Sequence, residues 1–186
     1  ENKMKNKETA SICFQTNVEK KFIDKLLQKL PLDCHLRLDA NAGWRREEAE
    51  YWAKYFNNDS RLEWLEQPLA SHDIEGLKKL SQVIPVALDE SLMRYPALRN
   101  SWDGWQIRRP ALEGDPRVLL DQLNNGKSHI AISSAFETGI GRRWIHHLAS
   151  LQQQKTLTPT APGLAPGWCP TSDLFSTNPK TVWEAA

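Results

Sequence analysis

Long hydrophobic runs are missing from this sequence. No stretch approaches the roughly 20 consecutive apolar residues that a helical membrane span needs, and the opening Glu1–Glu8 is charged where a secretion signal would turn apolar. The expectation is a protein neither embedded nor exported. An excess of one charge is missing too. The 24 Lys and Arg residues against 23 Asp and Glu leave a net charge of +1, so bulk charge selects neither nucleic acid nor an acidic partner, and small substrates remain open. Cysteine is scarce. Cys13, Cys34 and Cys169 are an odd number at wide spacing, which fits neither a disulfide framework nor a four-ligand zinc site and points to a reducing, cytoplasmic compartment. There is no low-complexity segment and no repeat in sequence.

What is present is a repeating pattern. The 186 residues, 40% apolar and 25% charged, suffice for one sizeable core but are short for two domains. Phe22, Ile23, Leu26, Leu27 and Leu30 recur at helical spacing and predict an amphipathic helix over Val18–Leu30, ended by Pro31. Short apolar runs of strand length follow at Leu36–Leu38, Leu62–Leu65, Val86–Leu88, Trp105–Ile107, His129–Ser133 and Thr156–Thr160. Their starts lie 26, 24, 19, 24 and 27 residues apart. Between them, Arg45–Phe56, Ile74–Ser81, Pro96–Asn100, Pro116–Asn124 and Gly141–Gln152 have helical spacing. Strand and helix alternating at this period predict βα units and a parallel sheet, because parallel neighbours need a crossover of about a dozen residues or more.

An open doubly wound sheet and a barrel both satisfy that pattern. No Gly-x-Gly-x-x-Gly follows any strand candidate, and Gly139-Ile140-Gly141 is too short to count, which favours the barrel. At about 31 residues per unit, the chain holds about six of a barrel's eight units. The segment Thr158–Pro170, broken by Pro159, Pro162, Gly163, Pro166 and Gly167, predicts a loop.

Three strand candidates close on a carboxylate: Leu36-Arg37-Leu38-Asp39, Leu62-Glu63-Trp64-Leu65-Glu66 and Val86-Ala87-Leu88-Asp89. In a parallel barrel the C-terminal ends of the strands open on one face, where residues read as catalytic. Three carboxylates there repel one another unless something positive neutralises them. All-oxygen donors suit a hard divalent cation, Mg²⁺ before Mn²⁺ or Ca²⁺. A plainer role exists for single members of the set, since Asp39 and Asp89 could each cap a helix. Polar partners stand close behind each carboxylate: Asn41, Gln67 and Glu90-Ser91.

Leu38-Asp39-Ala40-Asn41, Glu66-Gln67-Pro68 and Leu88-Asp89-Glu90-Ser91, spaced 27 and 23 residues apart, resemble in order the three metal-ligand motifs of the enolase superfamily. Trp105-Gln106-Ile107-Arg108-Arg109-Pro110-Ala111-Leu112-Glu113-Gly114 and Ile132-Ser133-Ser134-Ala135-Phe136-Glu137 are similar to the sixth- and seventh-strand segments of its o-succinylbenzoate synthase family. The resemblance covers about Leu36 to Gly167. It implies a partial enolase-type (β/α)7β TIM barrel, strands 3 to 8, without the N-terminal α+β capping domain. On this reading residues 1–17 are a surface loop or the start of a fragment, 18–170 the C-terminal part of the barrel and 171–186 a C-terminal tail. It also implies a lyase: Mg²⁺-dependent dehydration of 2-succinyl-6-hydroxy-2,4-cyclohexadiene-1-carboxylate to 2-succinylbenzoate through a metal-stabilised enediolate, in menaquinone or phylloquinone biosynthesis. Asp39, Glu66 and Asp89 would hold Mg²⁺, and Ser133, Ser134 and Asn41, with Glu137 nearby, would face the substrate. A helix cap is the plainer role for the two serines.

Two departures stand out. The family's sixth-strand lysine, immediately before a proline, is here Arg109, beside Arg108. An arginine holds positive charge but is a poor base, its pKa exceeding about 12, and its plainer role is to pair with a neighbouring carboxylate. The family's base comes from a Lys-x-Lys motif on the second strand. Lys3-Met4-Lys5 has that spelling without the strand pattern, so the base is expected upstream of this chain. Arg109 also argues against an N-acylamino acid racemase or dipeptide epimerase, which needs a lysine on each side of the substrate; an inactive fragment that only binds a cation is the reading from another class. His146-His147 reads as a solvated pair; Trp44, Trp52, Trp64 and Trp144 as core; Trp168 as a pocket residue.

Overall fold

In the computed structural model, which describes residues 18–165 and 170–186, the apolar runs form parallel strands separated by helices. The order is α1 (18–29), β1 (Leu36–Asp39), α2 (Arg46–Phe56), β2 (Leu62–Glu66), α3 (Ile74–Ser81), β3 (Val86–Leu88), α4 (Glu90–Arg94), α5 (Leu98–Ser101), β4 (Trp105–Arg108), α6 (Pro116–Asn124), β5 (Ile130–Ile132), α7 (Gly139–Lys155) and α8 (Pro179–Ala185). The five strands lie in one sheet in the order β1-β2-β3-β4-β5, every neighbouring pair parallel. This is part of a β/α barrel, as the period of the sequence predicts.

The longer helices are held by apolar faces at helical spacing. In α2 the buried residues are Ala49, Trp52, Ala53 and Phe56, at i, i+3, i+4 and i+7. Trp52 stacks on Trp44 and Phe56, with ring centroids 5.9 Å apart in both pairs, and meets Tyr55 edge-on at 5.4 Å. In α1 the apolar face is narrower than expected: Ile23 is buried, but Phe22 is 68% exposed, because residues 23, 26, 27 and 30 alone make the stripe toward the core. Helix α3 begins on Asp73, whose carboxylate accepts the Gly76 N–H at 3.0 Å.

The sheet has two faces with different contents. Its outer face joins the helices in two clusters, one around Leu65, Leu77, Leu88 and Trp52, the other around Leu123, Ile130, Ile132, Ile145 and Leu148. Its inner face carries Trp64, Ala87, Ile107 and Ala131, with Trp105 packed alongside. Large and small side chains thus share the barrel interior, which is filled rather than hollow.

The sixth expected strand, Thr156–Thr160, does not form. Helix α7 runs on to Lys155, and Thr156 caps it through hydrogen bonds from its N–H and Oγ1 to Gln152 O at 3.1 and 2.8 Å. Pro159 and Pro162 lack the N–H groups a ladder needs. Parallel pairing survives as one bridge between Ser133 and Gly163. Beyond the loop the chain makes a 3-10 turn at Asp173–Phe175 and then α8, which packs on α7. No helix of the described residues is long and apolar enough to cross a membrane.

Candidate active site

Register places the carboxylates. Asp39 and Glu66 are Cα partners across the β1/β2 ladder, and Glu66 pairs in turn with Ala87, two residues before Asp89. All three therefore end consecutive strands at one rim. A cleft bounded by Phe22, Ile23, Leu38, Asp39, Ala40 and Trp44 opens beside the first of them.

Glu66 is the electrostatically strained member. Burial, the charges of Asp39 and Asp89, and only partial relief from the Trp64 indole N–H (3.3 Å) and Arg109 push its carboxyl up to about 7. Glu90 is raised by the same surroundings, burial first. Such a desolvated carboxyl between two others is what a cation would relieve, so the donor chemistry fits a hard divalent ion. As arranged, however, no three His, Cys, Asp or Glu side chains among the described residues converge closely enough to hold one. One of the three carboxylates is instead paired with Arg109. Its Nε lies 2.9 and 3.0 Å from the two oxygens of Asp89, and its Nη2 also donates to Oδ2.

Asp89 and Asp39 both have plainer roles open to them as helix caps. Asp89 does stand at the N-cap position of α4, yet its side chain caps nothing and turns to Arg109. Asp39 accepts the Asn41 N–H at 2.8 Å in a tight turn, with Asn41 and Ala42 at φ 46° and 59°. Asn41 sits exposed at the rim. Arg109 reaches across to β5's end as well, its Nη1 donating to Ser134 O at 3.2 Å. Ser133 turns its hydroxyl to Gly163 O at 3.2 Å. Neither serine caps α7, whose N-cap is Thr138. Glu137 accepts the Ala135 N–H at 2.8 Å and leaves its Oε2 buried without a hydrogen-bond partner.

The structure separates the two arginines that the sequence leaves side by side. Arg108 is 1% exposed. Its Nε donates to both oxygens of Glu113 at 2.8 and 2.9 Å, and its Nη1 to Gln122 Oε1 at 2.6 Å. Glu113 also accepts the Arg109 N–H at 3.0 Å, so the buried pair fixes the backbone from which Arg109 reaches the rim. Lys3-Met4-Lys5 and Trp168 lie outside the described residues, as do Cys13 and Cys169; Cys34 is a free thiol.

Gln67 has a larger part than its place behind Glu66 suggests. It is fully buried, with φ 35°. Its Oε1 accepts the N–H groups of Asp89 and Ser91, each at 3.1 Å, while its Nε2 donates to Ser91 Oγ at 2.8 Å and Leu69 O at 2.9 Å. One amide thus ties the end of β2 to the turn that carries Asp89. The signal in the sequence was an amide rather than a carboxylate after Glu66; what it grips required the fold.

Known proteins resemble the chain in sequence and in fold. The chain is 33% identical over 145 residues to an o-succinylbenzoate synthase of Thermosynechococcus vestitus and 34% identical over 150 residues to one of Edwardsiella ictaluri, covering 73% and 76% of this chain and 45% of each relative. It therefore spans about half the length of the curated relatives it matches. The crystal structure of o-succinylbenzoate synthase from Thermosynechococcus elongatus BP-1, complexed with Mg in its active site, superposes with a TM-score of 0.74 at 29% identity, over 92% of this chain and 56% of that one. The family model described as enolase C-terminal domain-like matches residues 6–102, just over half of the sequence, and with a parallel partial barrel whose strand ends carry Asp39, Glu66 and Asp89, the chain belongs to that family.

Proposed function

We propose that this chain supplies the cation-binding and charge-stabilising part of an o-succinylbenzoate synthase, a lyase that dehydrates 2-succinyl-6-hydroxy-2,4-cyclohexadiene-1-carboxylate to 2-succinylbenzoate on the route to menaquinone or phylloquinone. The observation that carries this reading is the placing of Asp39, Glu66 and Asp89 at three consecutive strand ends with Arg109 among them. Likeness to curated synthases at 33–34% identity supports the choice of substrate.

Asp39, Glu66 and Asp89 would hold Mg²⁺. When bound, the ion supplies positive charge to a substrate carboxylate whose α-carbon is losing its proton, an effect worth several kcal/mol in such sites. Arg109 adds a permanent cation on the β4 side and, being always protonated, stabilises charge rather than moving a proton. Ser133 and Ser134 at the end of β5 and Asn41 at the end of β1 face the same rim and would contact the succinyl or carboxylate end. Proton abstraction is assigned to none of these residues. A small-molecule substrate and a cytoplasmic setting belong to the same proposal.

The test is product formation by the protein expressed from its complete gene, in Mg²⁺ and after chelation. Turnover should fall at least a hundredfold, on the order of 3 kcal/mol of transition-state stabilisation, on chelation and in Asp89→Asn. Undiminished turnover in either would sink the proposal. Cation binding without turnover would favour the non-enzymatic reading.

A further inference from the structure

We propose that Arg109 is a built-in counter-ion that competes with the divalent cation for Asp89, so that binding the cation and releasing the arginine are one coupled event. The inference rests on the cation-site reading above and goes beyond it, because it assigns to the residue at the lysine position a control over metal affinity.

Three observations carry it. First, the guanidinium engages both oxygens of Asp89, through Nε at 2.9 and 3.0 Å and through Nη2 on Oδ2. The Asp89 side chain is only 7% exposed. With the fork in place, both oxygens are spoken for and little of the side chain remains open to an ion. Second, the backbone that carries Asp89 is fixed, because its own N–H and that of Ser91 are held by the buried Gln67 amide. Third, the Arg109 side chain is the more open of the two partners, held beyond Asp89, among the described residues, only by its Nη1 bond to Ser134 O. The Arg109 side chain is 27% exposed, whereas its backbone is fixed by the N–H bond to Glu113 and by Pro110 beginning the next turn. The exchangeable partner is therefore the Arg109 side chain alone. A doubly charged ion and a guanidinium on the same carboxylate also repel each other at close range.

The identity of the residue matters. A lysine in the same place carries the same charge but is a single point, unable to form the planar two-point contact. The fork, more than its charge, is what the cation must displace.

Isothermal titration of Mg²⁺ into the protein expressed from its complete gene and into its Arg109 variants tests this, with far-UV circular dichroism to verify folding. Arg109→Lys, which keeps the charge and loses the fork, should bind Mg²⁺ roughly tenfold more tightly than the parent, the scale of one charge-assisted hydrogen bond. Arg109→Gln should bind at least as tightly as Arg109→Lys. If Arg109→Lys matched the parent while Arg109→Gln bound more tightly, only net charge would matter and fork competition would be overturned. Equal affinities throughout would overturn it as well, leaving the cation site intact. No heat from any chain would remove the cation site itself, and the competition with it. A measurement on the unmodified protein does not depend on the variants: the Arg109 Nε–H resonance should shift in step with Mg²⁺ saturation, and a resonance unmoved at saturating Mg²⁺ overturns the proposal.

Discussion

Gln67 shows how much of a site can hang on one uncharged side chain. Its carbonyl oxygen accepts two N–H groups and its NH₂ donates twice, all inside the protein. Removing the amide strands two buried backbone donors, each costing about 1–3 kcal/mol. Gln67→Leu, close in size, should therefore lower stability by about 2–4 kcal/mol, read as a shift of the urea midpoint at constant slope. A loss under about 0.5 kcal/mol, the range of an ordinary surface change, would mean the amide is replaceable. Little of this was legible beforehand. Three carboxylates could be read from the ends of apolar runs, because the chemistry of a strand end is local. Which neighbour grips which backbone depends on contacts 22 to 24 residues away. Arg108 and Arg109 make the same point. Adjacent strand residues face opposite sides, and only the fold reveals that the first is locked to Glu113 under the sheet while the second reaches Asp89.

Elements were legible where their bounds are set by local chemistry. Ile74–Ser81, Pro116–Asn124 and Val86–Leu88 coincide with α3, α6 and β3; the first two start behind an aspartate cap, Asp73 and Asp115, and Pro116 takes the first helical position. Helix α7 escaped at both ends. It starts two residues earlier than its apolar spacing suggests, at Gly139, where the size of the residue is limited from outside the helix. A Cβ on Gly139 would overlap Ser176 O and press on Val182 of α8. Gly139→Ala sets two effects against each other. Helix propensity gains up to about 1 kcal/mol, but a backbone carbonyl must move, and overpacking costs about 1–3 kcal/mol. The clash should win locally: amide exchange in residues 180–185 should quicken as α8 loosens, while β1–β5 keep their protection. Unchanged exchange in α8 would show that Ser176 yields without cost.

Across the chain as a whole, the absent sixth strand leaves its work to side chains. Arg37 of β1 donates to Glu63 of β2 at 2.7 and 3.2 Å, to Thr160 Oγ1 at 2.6 Å and to Ala161 O at 2.8 Å, and Thr160 Oγ1 itself donates to Glu63. The first two strands are thereby joined to the segment after the last barrel helix. The guanidinium also lies 4.1 Å over Trp64, which packs on Trp105 at 4.7 Å, so the link continues along the inner face of the sheet to β4. A pattern of apolar runs predicts neighbours along the sheet but carries no record of this long-range closure. Its pH dependence follows from Glu63. Burial alone would raise that carboxyl, but the hydrogen bonds from Arg37 and Thr160, with the charges of Arg37 and His35, outweigh it and hold the group below the ordinary 4.5. A carboxyl lowered on folding contributes stability that is fully present above its unfolded value and lost as pH falls through its folded one. Glu63→Gln keeps the shape and removes the charge, so it should cost stability at pH 7, while the difference from the parent should shrink as pH falls below about 4.5. Urea unfolding of both proteins at about pH 7, 5 and 3 measures this. A gap that stays constant over the series would mean the closure is held by shape and by Thr160, with no contribution from the carboxylate charge.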